Sequence, residues 1–388
     1  MFERDNLKNL DFTLLILVTL LVGFGTIMIG SADGWVFSRE TFNLKDEGMK
    51  LMIKQLLGYG IGLVAIVLIV LLNYDVLKVL AIPAYVVILG LLVLVLKIGV
   101  GVDSDGEDVR RWIQLPGGFT LQPSEYAKIG LILLFAWYLD KFQERINNVA
   151  VVAGALVLVG IPVILIMKEP SLSVSIVTIT IALSALFVAR LGWRYIIPGV
   201  LIIGVAAFFI IQDATSETPK FALTFLGKYQ VNRIRAWLDP ESYRLDLAFQ
   251  TLTSKYAIGS GGLRGVGLFE GQDIPVATTD FIFGVIGEEL GFVGACFVIL
   301  MIVLIVLKIL WVARRAQDLF GKLLCTGVAT MIAVQSAIHI GVTTALLPNT
   351  GLPLPFISYG LSSLTGSMMG IGLVLKVHSE TKKNKSRR

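Results

Sequence analysis

The sequence predicts an all-α polytopic membrane protein with about ten transmembrane helices and a large extracytoplasmic loop between the seventh and eighth. Three observations carry that expectation. Hydrophobic residues make up 55% of the 388 positions and charged residues only 16%, against roughly 45–50% and about 25% in soluble domains. Mean hydropathy is +0.81. The apolar positions also fall into ten runs of membrane-spanning scale, a span needing about 20 residues. This composition excludes a soluble enzyme, a disordered chain and a collagenous or disulfide-rich one.

In order, the runs cover about 11–30, 51–72, 76–96, 124–139, 149–167, 171–189, 195–211, 281–310, 323–347 and 355–375. The first has the position of a signal peptide, but it is long and no small-residue cleavage site follows, so it is read as a span. Lys168, Glu169 and Pro170 part the fifth run from the sixth, and a proline beside a polar pair predicts a tight turn. Between the spans lie a short polar loop at 31–50, a longer one at 97–123 and the large loop at about 212–279. A basic tail occupies 376–388, and the whole of 1–388 is read as one membrane domain.

The charge balance is 33 Lys and Arg against 28 Asp and Glu, or +5. In a membrane chain that excess reads as basic cytoplasmic loops, not as nucleic-acid binding. Lys141 with Arg145, Arg190 with Arg194, and Arg314, Arg315 and Lys322 fall on alternate short loops, the same side as the tail. The positive-inside rule makes that side, and with it both termini, cytoplasmic. Cys296 and Cys325 lie within apolar runs and support neither a disulfide framework nor a metal site. His339 and His378 are too few and too far apart for zinc chemistry.

Polar chemistry is then expected at the outer face, where irregular backbone survives only inside protein or around a wet cavity. In the 97–123 loop, Arg110 and Arg111 beside Trp112 suit either a phosphate head group or a simple interfacial anchor. Past Pro123 a helix begins with Glu125 and Lys128 on one face. Within a span each charge is costly unless paired or wet, which leaves a polar cavity wall or a structural ion pair. The large loop holds Arg233, Arg235, Arg244 and Lys255 and then a glycine-rich stretch at 259–267. No Gly-Lys-Ser/Thr follows and no strand precedes it, so it is not a P-loop.

Asp280 stands where that loop enters the eighth run, next to Phe281 and Phe283. At 100° per residue Gly284, Gly287, Gly291 and Gly294 share an arc of about 80°, and Asp280 falls inside it if the helix has begun. A glycine face packs closely, so the carboxylate is expected to point into protein, where desolvation raises it toward a useful base. A plain helix cap is the other reading. Glu288 lies near the same direction two turns on. Finally, Pro348, Pro353 and Pro355 forbid a continuous helix across 341–360 and predict a broken element at membrane depth.

These segments, in this order, resemble the SEDS family (shape, elongation, division and sporulation proteins, whose members include RodA, FtsW and SpoVE). The resemblance rests on Arg111-Trp112-Ile113 with Gln122-Pro123-Ser124-Glu125, and on Thr279-Asp280-Phe281-Ile282-Phe283 with Gly287-Glu288-Glu289-Leu290-Gly291. It rests also on Leu347-Pro348 through Thr350-Gly351-Leu352-Pro353-Leu354-Pro355-Phe356 to Ser358-Tyr359-Gly360. It implies a peptidoglycan glycosyltransferase in the bacterial cytoplasmic membrane that polymerises lipid II at the outer face and works with a class B penicillin-binding protein. By position Asp280 matches the family's essential aspartate, Glu125 and Lys128 its polar pair, and Arg111 and Trp112 its loop motif; Ser358 joins them as a substrate-binding residue. Departures occur at Ser171, where the family commonly has Asp, at His339 in place of Asn, and at Leu361 in place of Gly. The second carboxylate role at Ser171 is thereby lost, unless Glu169 substitutes.

The implied reaction needs a base, Asp280, and positive charge for a pyrophosphate leaving group, with Arg111 and Lys128 as the leading sources. One-step displacement inverts the anomeric centre. A divalent cation is a further source of charge, although the sequence holds no dedicated cage for one. A lipid II flippase and a non-catalytic scaffold that activates a penicillin-binding protein are the rival functions.

Overall fold

The structure, a computed structural model, describes residues 9–33, 47–104, 107–115, 119–216 and 218–386. Most of the expected loop at 31–50, residues 116–118 and the last two residues of the tail lie outside the described residues. Ten long helices occupy the ten apolar runs. They are α1 (Phe12–Ala32), α2 (Glu47–Leu71), α3 (Tyr74–Ile98), α4 (Pro123–Lys141), α5 (Val149–Lys168), α6 (Leu172–Val188) and α7 (Trp193–Ala214). After the large loop come α12 (Gly291–Arg315), α13 (Leu319–Thr343) and α14 (Leu361–Ser386). Seven of these are long and apolar enough to cross a membrane, α6 is a shorter apolar helix, and α4 and α14 carry more polar residues.

Side chains close the helix ends where the sequence supplies them. Asp11, Asn73, Asn148 and Asp318 each accept a backbone N–H at the start of α1, α3, α5 and α13. Pro123 opens α4, where its missing N–H is not needed. In an apolar solvent burial of Leu and Ile drives little helix association, so close packing and polar contacts decide which helices meet. α13 is central, with α4, α6, α12 and α14 packed around it. Its buried face carries Gln335, Ser336, His339 and Thr343 toward one end. By contrast, Ala214 is the one buried residue of α7.

The two long connections at 97–123 and 212–279 hold more structure than loops. The 97–123 stretch forms an antiparallel sheet in the order β1 (Val100–Ser104), β2 (Glu107–Leu115) and β3 (Phe119–Leu121). Its Val, Ile, Phe and Trp content suits half-buried strands. The large loop contains α8 (Lys220–Phe225), α9 (Lys228–Leu238) and α10 (Phe249–Ser260). Val231 and Ile234 of α9 join Ala214 of α7 and Leu226 in a small core, against Met167 and Leu172.

One expectation is corrected. The eighth apolar run is not a single helix, because α11 (Ile282–Glu289) ends at Leu290 and α12 restarts at Gly291, whose φ is +62°. The cause is tertiary. The amides of Phe292 and Val293 donate to the carbonyls of Gly262 and Leu263 in the glycine-rich stretch, at 2.9 and 3.3 Å. The glycine arc drawn along a continuous helix therefore does not extend past residue 289. The proline-rich break is as expected: α13 stops at Thr343, residues 345–360 run irregularly, and α14 begins at Leu361 and continues through much of the basic tail.

Candidate functional site

Arg111 enters from β2 and is buried, at 8% exposure. Its Nε donates to the carbonyl of Glu169 at 2.9 Å and one terminal nitrogen to the carbonyl of Pro170 at 2.6 Å. The expected turn between α5 and α6 is thus what holds the guanidinium. The Arg111 guanidinium lies 5.7 Å from the Tyr229 ring, and that of Arg233, one helical turn after Tyr229 on α9, lies 5.1 Å from the same ring. Burial draws Arg111 below its ordinary value, while Tyr229, Asp280 and Glu169 oppose that drop. Arginine remains charged throughout.

Asp280 lies in the turn before α11. The residue capping that helix is Phe281, and Asp280 does not cap it with its side chain. Its carboxylate instead faces Gly351 of the proline-rich segment. A Cβ at Gly351 would sit 3.2 Å from Asp280 Oδ2 and 3.8 Å from an Arg111 terminal nitrogen, and the backbone there has φ +64°. Only glycine adopts that conformation freely while letting carboxylate and guanidinium approach from either side. Arg111 and Asp280 are not tied up with each other, since no ion pair within 4.0 Å joins them among the described residues. Loss of water raises the Asp280 carboxyl above its ordinary value, with Arg111, Arg233 and a hydrogen bond from Thr279 acting in the opposite direction. The residue is only half-buried by surface, so ligand can reach a group that protein otherwise surrounds.

A second set of contacts fixes this geometry. Ser358 Oγ donates to the Thr279 carbonyl at 2.6 Å and accepts from the Leu354 amide at 2.8 Å, and the Tyr359 amide donates to the Thr278 carbonyl at 2.8 Å. Ser358 therefore staples the proline-rich segment to the turn that carries Asp280. Behind it Lys128 Nζ donates to both Glu125 oxygens at 2.9 and 3.0 Å and to Gln335 Oε1 at 2.6 Å. Gln335 Nε2 passes the connection to the Pro353 carbonyl at 2.9 Å, and His339 Nδ1 meets the Leu352 carbonyl at 2.7 Å. Facing a carbonyl, that ring nitrogen must carry the proton. Glu125 and Lys128 are 2% and 1% exposed, and they hold the backbone beside Gly351 in place.

The structure thus brings Arg111, Asp280, Glu125, Lys128 and Ser358 into one connected assembly. Trp112, next to Arg111 in β2, is half-buried, and strand alternation turns it to the other face of the sheet. Glu288 stands apart: it is near the far end of α11, about 9 Å of helix rise beyond Ile282, whereas Asp280 precedes that helix. Its Oε2 accepts the Gln272 amide at 3.1 Å, while Glu289 takes the Ser31 hydroxyl at 2.6 Å. Both serve to pin the large loop onto α11 and α1.

Two contributors escape sequence reasoning. Gly351 shows its role only once the segment is folded. Arg233 is one basic residue among several, but its Nε and one terminal nitrogen are buried without a hydrogen-bond partner among the described residues. The signal for it is the Tyr229–Arg233 spacing of four, which places ring and guanidinium on one helix face. Arg233 and Asn349 line a cavity of about 90 Å³ that also holds Trp237 and Lys255. Among the described residues no group of three or more His, Cys, Asp or Glu side chains is placed to hold a metal ion.

Fold and site together define a polytopic membrane protein with a carboxylate and two guanidinium groups converging beside a broken helix. Comparison with known proteins makes this specific. Residues 12–383 match the family model FTSW_RODA_SPOVE, described as cell cycle protein, and the chain belongs to that family. It is 35% identical to the probable peptidoglycan glycosyltransferase FtsW of Trichlorobacter lovleyi, over 97% of this chain and 95% of that one. It is 34% identical to the peptidoglycan glycosyltransferase MrdB of Escherichia coli, over 96% and 95%. Among solved structures, one chain of a peptidoglycan synthase complex that coordinates polymerization and crosslinking matches with a TM-score of 0.77 at 29% identity, over 96% and 98%. The rod shape determining protein RodA of Thermus thermophilus matches at 0.66 and 28%, over 95% and 96%.

Proposed function

We propose that this peptidoglycan glycosyltransferase polymerises lipid II at the outer face of the bacterial cytoplasmic membrane, with Asp280 as its general base. The observation that carries the reading is the Asp280 carboxylate facing Gly351 across from the Arg111 guanidinium, with Arg233 near enough to act on it electrostatically. An acceptor sugar hydroxyl gives its proton to Asp280 as its oxygen bonds to the donor's anomeric carbon. The bond from that carbon to the lipid pyrophosphate breaks, and the electron pair leaves with the pyrophosphate. Attack from the face opposite the leaving group inverts the centre.

Arg111 and Arg233 are placed to meet the negative charge that builds on the departing group. Lys128 was expected to share that role, but its donors are committed to Glu125 and Gln335, so its part is to hold the segment around Gly351. The donor set at Asp280 is one carboxylate under the influence of two guanidinium groups, a poor fit for a resident divalent cation. The protein works with a penicillin-binding protein, and we infer that the partner is a class B transpeptidase.

The test is polymerisation of lipid II by purified protein with its partner, comparing wild type and Asp280→Asn at matched folding. Loss of a general base is expected to slow chain formation by about 10²–10⁴-fold. Normal glycan chains from the variant would remove Asp280 from the reaction.

A further inference from the structure

We propose that Glu169 is a positioning residue that sits uncharged in the resting protein and thereby leaves the Arg111 guanidinium free to receive the anionic group of the substrate. This rests on the reading of Arg111 given above, and it assigns a role to a carboxyl that the reaction itself does not use.

Glu169 follows α5 in the turn to α6 and is fully buried, at 0% exposure. Neither of its carboxyl oxygens has a hydrogen-bond partner among the described residues. The charge nearest in influence is Arg111, yet Arg111 bonds the backbone carbonyls of Glu169 and Pro170 and not the carboxylate. An ionised carboxylate with no partner would be costly at such a position, and beside a guanidinium it would form the strong charge-assisted pair that this geometry lacks. A neutral acid resolves both points. Burial pushes Glu169 up to about 8; Arg111 and the Ser124 hydroxyl, which is near enough to favour the carboxylate but outside hydrogen-bond geometry with it, act in the lowering direction.

The surroundings supply no other control. Glu125 and Lys128 on α4 are paired with each other, and Lys168 is exposed on α5. Tyr229 and Arg233 on α9 are engaged with one another and with Arg111. His339 on α13 is committed to the Leu352 carbonyl, and Asp280 lies across Gly351 from Arg111. Ionising Glu169 therefore acts first on Arg111. The guanidinium is drawn back toward α6, and its charge is compensated when ligand needs it. Sign follows from this. Affinity for an anionic group is full below about pH 8 and is lost as pH rises through the Glu169 value.

The experiment measures binding of a polyprenyl pyrophosphate to the purified protein across this range, in wild type, Glu169→Gln and Ser124→Ala. Wild type is expected to bind about tenfold more weakly one pH unit above the midpoint. Glu169→Gln, an uncharged isostere, should match wild type at neutral pH and stay flat into the alkaline range. Ser124→Ala removes a group that favours the carboxylate, so its midpoint should move to higher pH. Infrared spectra provide a readout independent of ligand: wild type at neutral pH should carry a protonated-carboxyl band that Glu169→Gln lacks and that disappears from wild type at about pH 9.5.

An alkaline loss that persists in Glu169→Gln would overturn the proposal, as would weak binding by that variant at neutral pH or absence of the infrared band. Should Glu169→Gln fail to fold, the wild-type spectra and the direction of the Ser124→Ala shift still decide the matter. A protein that binds as expected but makes no glycan would defeat the catalytic reading and leave the role of Glu169 standing.

Discussion

Arg233 and Arg235 are two residues apart on α9, identical in chemistry and different in use. Arg235 spends its fork on the carbonyls of Ala214 and Ser216, at 2.7 and 2.6 Å, and so ties α9 to the end of α7. Arg233 stacks on Tyr229 and keeps two nitrogens without a hydrogen-bond partner among the described residues. The sequence shows both arginines, but only folding distinguishes the one whose fork is spent on backbone carbonyls from the one whose donors are left over. The sequence shows Asp280 as a carboxylate at a loop-to-span junction, whereas only the fold shows that its side chain does not cap α11, because Phe281 takes the cap position. Arg233→Met gives a test at this scale. Arg233 lowers the raised Asp280 value, so removing it should move the acid limb of the pH–rate profile to higher pH. The KM for the lipid donor should also rise, by about 10-fold or more for loss of a charge-assisted contact. A limb that stays in place would separate Arg233 from Asp280.

At the level of elements, two helix interruptions frame the site, and they differ in how visible they are beforehand. Pro348, Pro353 and Pro355 announce the break between α13 and α14, because proline removes the donor a helix needs. The break between α11 and α12 lies within continuous apolar sequence. It exists because carbonyls from the glycine-rich stretch capture the first amides of α12, an interaction between residues about 30 positions apart that no local pattern encodes. The sheet of β1, β2 and β3 is hidden in the sequence for a related reason, its strands being short and its pairing set by folding. Gly291→Ala tests the second interruption. A Cβ there would run into the Gly265 amide nitrogen, and a left-handed conformation costs a non-glycine residue about 1–2 kcal/mol before any clash. A loss of at least about 2 kcal/mol is expected, read as a lower melting temperature and faster proteolysis within 261–272. Unchanged stability would show that the turn has another solution.

For the whole molecule, the decisive feature is that polar groups separate to two ends of the bundle. At one end Arg111, Arg233 and Asp280 meet the proline-rich segment. At the other, Lys78 at the start of α3 bridges Asp140 near the end of α4 and Asp318 at the start of α13, at 3.1 and 3.2 Å. Asp11 before α1 pairs with Lys308 near the end of α12 at 3.0 Å and lies 3.7 Å from His378 on α14. Helix direction places Lys141, Arg145, Arg190, Arg194, Arg314, Arg315 and Lys322 at this second end, and short basic connections of that kind stay in the cytoplasm. The bases of the large loop count little toward orientation because that loop exceeds roughly 60 residues. Asp280 is then expected to face outward. A membrane-impermeant maleimide should label Ser242→Cys in intact cells, since Ser242 is exposed in the large loop. Lys382→Cys, exposed on α14, should react only after lysis. Both variants belong in a Cys296→Ser background, because the native Cys296 is exposed and Cys325 is buried. The opposite labelling pattern would turn the site toward the cytoplasm and leave a polymerase with no access to the wall it is proposed to build.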